Sequence, residues 1–195
     1  MHALALTSTR TSTVDYLRTE HATLLAQILG IVGFALLAVA GAQVKIFLWE
    51  IPITLQTVAI YGSGMFLGAR NGLFAMSLYL GLGMFFPVFA GDAFGPAYLF
   101  GAASAGYLLA APLVAALIGA LSTRWNTLPG SFLAIFAGSL LLFTCGVTWL
   151  HFMAGHESWW MSIERGWLRF VVWDLTKILL VAGAYVGARR LTARD

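Results

Sequence analysis

Charge is nearly absent from six long stretches of this chain, and no other feature constrains its fold as strongly. Residues 22–44, 51–69, 71–91, 93–123 and 125–150 contain no Asp, Glu, Lys or Arg, and a sixth stretch, 170–188, is interrupted only by Asp174 and Lys177. The hydrocarbon core of a bilayer is crossed by about 20 mainly apolar residues in a helix. The chain as a whole is 60% hydrophobic and 10% charged, too few polar residues to cover the surface of a soluble domain. The expected fold is therefore all-α, an integral membrane bundle of six transmembrane helices. The second and third stretches are short or broken by Gly, so those spans are expected to be tilted, bent or partly re-entrant.

Six spans put both termini on one side. Arg10, Arg18, Arg70, Arg124, Arg189, Arg190 and Arg194 fall on the side of the termini, against Lys45, Arg165 and Arg169 on the other. Basic residues favour the cytoplasm in short loops, so the N and C termini are expected there. Residues 1–21 form a polar cytoplasmic tail, 22–188 the six-helix membrane domain and 189–195 a second cytoplasmic tail. The long charge-free run after residue 21 reads as a retained span rather than a cleaved signal. The loops at 45–50, 91–96 and 151–169 then face outward. Trp149, Trp159, Trp160 and Trp167 flank the last of these as an aromatic belt, with room for a short helix in the interface plane. The net charge of +3 comes from scattered residues without a basic stripe, so nucleic acid is excluded as a partner. The single Cys145 forms no intramolecular disulfide.

Asp174 and Lys177 break the sixth stretch. Ionisable groups in the hydrocarbon region are costly, so they pair with each other, face the protein interior or mark the path of a polar substrate. Three residues apart, the two share a helix face and converge on one point. At about 1.5 Å per residue they lie roughly 6–15 Å below the outer end of their helix. That placement implies a small polar molecule bound within the bundle and reached from outside. An ion pair that only fixes one helix against its neighbours is the structural alternative. Small residues also recur at four-residue spacing, Ala38 with Ala42, Gly64 with Gly68 and Gly183 with Gly187. Such spacing serves close packing inside the bundle or, where it faces outward, docking on another membrane subunit.

Four ordered motifs add a resemblance. GAQVKIFLWEIPITLQT at 41–57 resembles a family pattern of GAQ, a loop and PVPITLQT, and LGARNGLFAMSLYLGLGMFFPVFAG at 67–91 is similar to one ending in LGLxGLPVFAG. ASAGY at 103–107 aligns with PTGGY, and RFVVWDLTK at 169–177 resembles PFxxGDxxK. Together they resemble the BioY family, biotin-specific S components of energy-coupling-factor (ECF) transporters. Where that pattern has Pro and Gly, this chain has Arg169 and Trp173, and a Trp beside the acidic residue has the bulk to reshape a pocket.

The resemblance implies that this chain is not an enzyme but the membrane subunit that captures biotin, with Asp174 and Lys177 on the ligand. Partners implied are an ECF transmembrane coupling protein and ABC-type ATPases, in the cell membrane. No Walker motif GxxxxGK[ST] occurs here, so ATP is used by the partner subunits and no cofactor is expected in this chain. Biotin has ureido N–H groups, a carbonyl, an aliphatic chain and a carboxylate. Asp174 suits an N–H, and Lys177 suits the carbonyl or the carboxylate. Gln56 offers both donor and acceptor, and Thr54 lies beside it at the start of the second span. Tyr79 and Tyr107 are candidates to close the pocket, Phe89 is a candidate lid, and Asp92 is either a ligand contact or a solvated loop charge. His151, His156 and Glu157 invite a metal, but they lack a Cys or a supporting pattern, so no metal is expected.

Three other readings compete. An intramembrane hydrolase or lipid-modifying enzyme using Asp174 lacks a nucleophile–base pair with recognisable spacing. An ion- or proton-coupled carrier would relay charge through Asp174 and Lys177. An S component for another vitamin would keep the architecture and change the ligand.

Overall fold

The computed structural model describes residues 13–18, 22–46, 51–125 and 127–192. Arg10, Arg194, the loop tip at 47–50 and most of the two expected tails lie outside those residues. Among the described residues, four helical segments are long and apolar enough to cross a membrane: Leu24–Gln43, Ala105–Ser122, Leu128–Ala154 and Trp159–Thr192.

After a short helix α1 (Thr13–Leu17), α2 (Leu24–Gln43) begins where the Thr23 hydroxyl accepts from the Ala26 amide at 3.3 Å. One face of α2 buries Ala35, Ala38 and Ala42, while Leu25, Leu29 and Leu36 on the opposite side are exposed. A contiguous apolar surface of that kind suits lipid rather than water.

The two spans expected at 51–69 and 71–91 are one continuous assignment, α3 (Gln56–Phe85), broken at Gly68. Gly68 has φ 77° and ψ −177°, a backbone region essentially confined to glycine. The chain doubles back there. A Cβ on Gly72 would lie 3.1 Å from the Ser63 carbonyl oxygen and 3.2 Å from the Gly64 Cα. In a straight helix, residues eight apart are separated by about 12 Å, so the two arms of α3 run side by side. The arms are shorter than an independent span, which is why each read as short in the sequence.

The stretch 93–123, expected as one span, is instead two helices, α4 (Gly95–Gly101) and α5 (Ala105–Ser122), with Ala102 extended between them. The Ala102 carbonyl freed by this break accepts from Trp149 Nε1 at 3.0 Å and from the Ala105 amide at 3.0 Å. Broken backbone at membrane depth is tolerated only when its polar groups are re-bonded in this way.

Next comes α6 (Leu128–Ala154), capped by the Thr127 hydroxyl and ended by Gly155 at φ 62°. A short helix, α7 (Trp159–Gly166), follows in the 151–169 connection, capped by Ser158, with Trp159 and Trp160 exposed. A single 3-10 turn at Leu168–Phe170 leads into α8 (Val171–Thr192). Among the described residues, the all-helical expectation is modified only by a two-residue antiparallel ladder, β1 (Lys45–Ile46) with β2 (Ile53–Thr54), pairing Lys45 with Thr54. Such a short pair has no periodicity to read.

At the end of the molecule holding the α1 segment, Arg18 donates to the Gly119 carbonyl at 3.2 Å, to the Ser122 hydroxyl at 2.7 Å and to the Tyr185 hydroxyl. Asp15 pairs with Arg189 at 3.1 Å. These contacts tie α1 to α5 and α8. The small-residue pairs divide: Ala38 and Ala42 are buried, and Gly64 sits against Ala115 and Ile118 of α5. A Cβ at Gly183 or Gly187 would meet no neighbour within 4 Å, so that pair faces outward.

Candidate ligand-binding site

At the opposite end, α3, α5, α6 and α8 enclose a cavity with about 720 Å³ of empty space, its open mouth included. Ile51, Pro52, Ile53 and Thr54 form one rim, polar groups come from α3, α4, α5 and α8 and from Ser104, and Ile60, Leu108, Leu142, Phe143 and Phe170 supply apolar wall.

Asp174 stands in the first turn of α8 and is 5% exposed. The Tyr61 hydroxyl donates to its Oδ1 at 2.7 Å and the Ser139 hydroxyl to its Oδ2 at 2.5 Å. Helical side chains lean toward the N-terminus of their helix, so the Lys177 stem runs back toward the level of Asp174. Its Nζ donates to the Thr54 backbone carbonyl at 2.7 Å. Both side chains line the cavity, as the helical spacing leads one to expect. They do not neutralise each other by direct contact, however: each is held by uncharged partners from other elements, leaving its remaining hydrogen-bonding capacity for the cavity.

Gln56, the first residue of α3, is buried and lines the cavity, and its backbone N–H donates to the Thr54 hydroxyl at 3.4 Å. Tyr107 lines the far wall, with its hydroxyl donating to the Gly166 carbonyl at 2.7 Å and its ring edge-on to Phe143. Thus α7 is fastened to the cavity wall through Gly166.

The structure does not bring Tyr79, Phe89 or Asp92 to the cavity. Tyr79 and Phe89 are fully buried and packed edge to face at 5.5 Å. Phe89 also stacks on Tyr98 at 5.6 Å, and it is Tyr98 that reaches the cavity. Phe89 is consequently a support behind the wall rather than a cover over the mouth. Asp92 is exposed in a turn at φ 57°. Trp173 is 53% exposed and absent from the lining, so its bulk does not enter the cavity, and Arg169 pairs with Glu164 at 2.8 Å. The Nδ1 atoms of His151 and His156 share the Ser162 hydroxyl at 2.9 and 3.0 Å. Among the described residues, no group of three or more His, Cys, Asp or Glu is arranged to hold a metal ion.

Sequence reading missed five polar groups. Tyr61 and Ser139 hold Asp174, while Ser104 and Tyr98 lie 3.2 Å apart in the lining. A fifth is Thr57, whose buried hydroxyl has no hydrogen-bond partner among the described residues and lines the cavity. One signal was available: a buried carboxylate needs hydrogen-bond donors.

The family model described as the BioY family matches residues 10–194. The chain belongs to the BioY family. A BioY relative named Biotin transporter BioY2, from Lactococcus lactis subsp. cremoris, is 36% identical over 152 residues, 76% of this chain and 81% of that one. Another named Biotin transporter BioY, from Thermotoga maritima, is 33% identical over 150 residues, 76% of this chain and 87% of that one. In fold, the chain is similar to a crystal structure described as the S-component for biotin from an ECF-type ABC transporter. The TM-score is 0.78 at 21% identity, covering 87% of this chain and 96% of that one.

Proposed function

We propose that this BioY chain is the membrane-embedded, substrate-binding subunit of a vitamin uptake transporter and captures biotin from outside in the cavity between α3, α5, α6 and α8. The observation that carries the reading is the pairing of Asp174 and Lys177 on one wall of an otherwise apolar cavity in a family whose members are named biotin transporters. Biotin matches such a site group by group: a ureido N–H for the Asp174 carboxylate, a carbonyl or carboxylate for the Lys177 ammonium, and an apolar ring and chain for Ile60, Leu142, Phe143 and Phe170. Thr54, Gln56, Thr57 and Tyr107 complete the contact set. Charge-assisted hydrogen bonds are roughly twice as strong as neutral ones, so the two charged groups contribute most of the polar selectivity.

The reading includes six passages through the plasma membrane, the two arms of α3 counting as two, with both termini cytoplasmic and the cavity mouth outside. The short α7 lies in the outer interface with Trp159 and Trp160 toward lipid headgroups. Energy for uptake comes from partner subunits, a transmembrane coupling protein and ABC-type ATPases.

The test is direct. Denaturing the detergent-purified protein and identifying released small molecules by mass spectrometry is expected to yield biotin. Titration calorimetry is expected to show that Lys177→Ala weakens biotin binding by about 1.5–3 kcal/mol, the range for hydrogen bonds to charged groups. Equal affinity of wild type and variant removes Lys177 from the site, and no biotin binding by the wild type removes the function.

A further inference from the structure

We infer that Tyr61 and Ser139 are positioning residues. They fix the orientation of the Asp174 carboxylate and leave it an acceptor on both oxygens, so that this group takes an N–H donor while a carbonyl or carboxylate of the ligand is left to Lys177. The inference rests on the biotin reading and adds what decides which part of the ligand the acidic residue accepts.

Three elements meet at this point. Tyr61 comes from the first arm of α3, Ser139 from the middle of α6 and Asp174 from the first turn of α8. Both hydroxyl-bearing residues are buried, at 0% and 2% exposure. Ser139 departs from the habit of its own helix. Thr144 and Thr148, also on α6, donate back to the Leu140 and Thr144 carbonyls at 2.7 Å, the usual resort of a hydroxyl in a helix. Ser139 instead turns across the bundle to Asp174 Oδ2, and Tyr61 directs its single proton to Oδ1.

The consequence is a matter of proton counting. A carboxylate offers about four acceptor positions, and a hydroxyl donates one proton. With both protons committed to Asp174, one position on each oxygen is filled and neither hydroxyl has a proton left for the ligand. A carboxylate held on both oxygens cannot turn to suit a different ligand group. The Asp174 carboxylate therefore distinguishes a ureido N–H of biotin from its carboxylate by the direction of the hydrogen bond.

The experiment compares wild type, Tyr61→Phe and Ser139→Ala, each full-length in detergent, for affinity to two probes. One probe is biotin and the other is biotin methylated on its ureido nitrogens, measured by competition, with thermal melting as the check on folding. Wild type is expected to prefer biotin by roughly tenfold or more, the value of one hydrogen bond to a charged group. Both variants are expected to lose a large part of that preference while retaining a cooperative melt. If Tyr61→Phe does not fold, Ser139→Ala carries the test, and Ser139→Thr, which keeps the hydroxyl, is expected to restore the preference. Variants that retain the wild-type preference overturn the inference, whether biotin affinity is unchanged or falls equally for both probes as a packing defect would make it. A wild type that binds biotin without discriminating also overturns it. A wild type that binds no biotin overturns the functional reading instead.

Discussion

Thr57 is the residue whose surroundings make the sharpest demand. Its hydroxyl is buried in the cavity lining without a hydrogen-bond partner among the described residues. An unsatisfied buried polar group costs about 1–3 kcal/mol, and a ligand that bonds to it removes that cost. Thr57→Val keeps the shape and removes the hydroxyl, so the two effects are expected to separate. Thermal stability of the ligand-free protein stays level or rises, while biotin affinity falls by about 0.5–1.5 kcal/mol. Calorimetry showing wild-type affinity for Thr57→Val would mean that the hydroxyl does not meet the ligand. Asp174 and Lys177, which line the cavity, were conspicuous in the sequence because charge in a charge-free run stands out. Thr57 was not, since one Thr among apolar residues looks the same whether its hydroxyl faces lipid, its own helix or a cavity.

At the scale of elements, the reversal inside α3 and the contacts of α1 bear on the whole bundle. Gly68 holds a conformation that costs other residues about 1–3 kcal/mol, so Gly68→Ala is expected to lower stability by that amount in denaturant or thermal unfolding. An unchanged midpoint would show that the two arms meet in some other way. Arg18 draws α5 and α8 together by three hydrogen bonds, at residues outside the cavity lining. Arg18→Gln is expected to reduce stability with biotin affinity kept within about twofold, a difference below roughly 0.5 kcal/mol. A large loss of affinity would show that the two ends of the bundle are energetically coupled.

For the whole molecule, a ligand held in the cavity would join elements distant in sequence, since the lining comes from residues 51–60 as well as 166–177. A ligand that binds only the folded state stabilises it by about 2.7 kcal/mol at one hundred times its dissociation constant. Biotin at that excess is expected to raise the melting temperature in detergent, whereas thiamine and riboflavin leave it unchanged. A shift with either of those vitamins and none with biotin would reassign the substrate. The BioY membership, extending over residues 10–194, covers every element that builds the cavity.

The sequence by itself determined the solvent of this protein and where its buried charge lies. Long charge-free runs require lipid, and Asp174 with Lys177 requires a polar interior. Four motifs at 41–57, 67–91, 103–107 and 169–177 were enough to show the family resemblance. Tertiary structure alone decided that Gly68 folds one helix into two arms, that 93–123 breaks at Ala102, and that Tyr61 and Ser139 converge on one carboxylate. It also decided that Phe89 and Trp173 stay out of the cavity. The physical reason is range. Hydropathy and helical spacing are properties of neighbouring residues, whereas a hydroxyl 113 positions from the carboxylate it serves is brought there only by the packing of the helices between them.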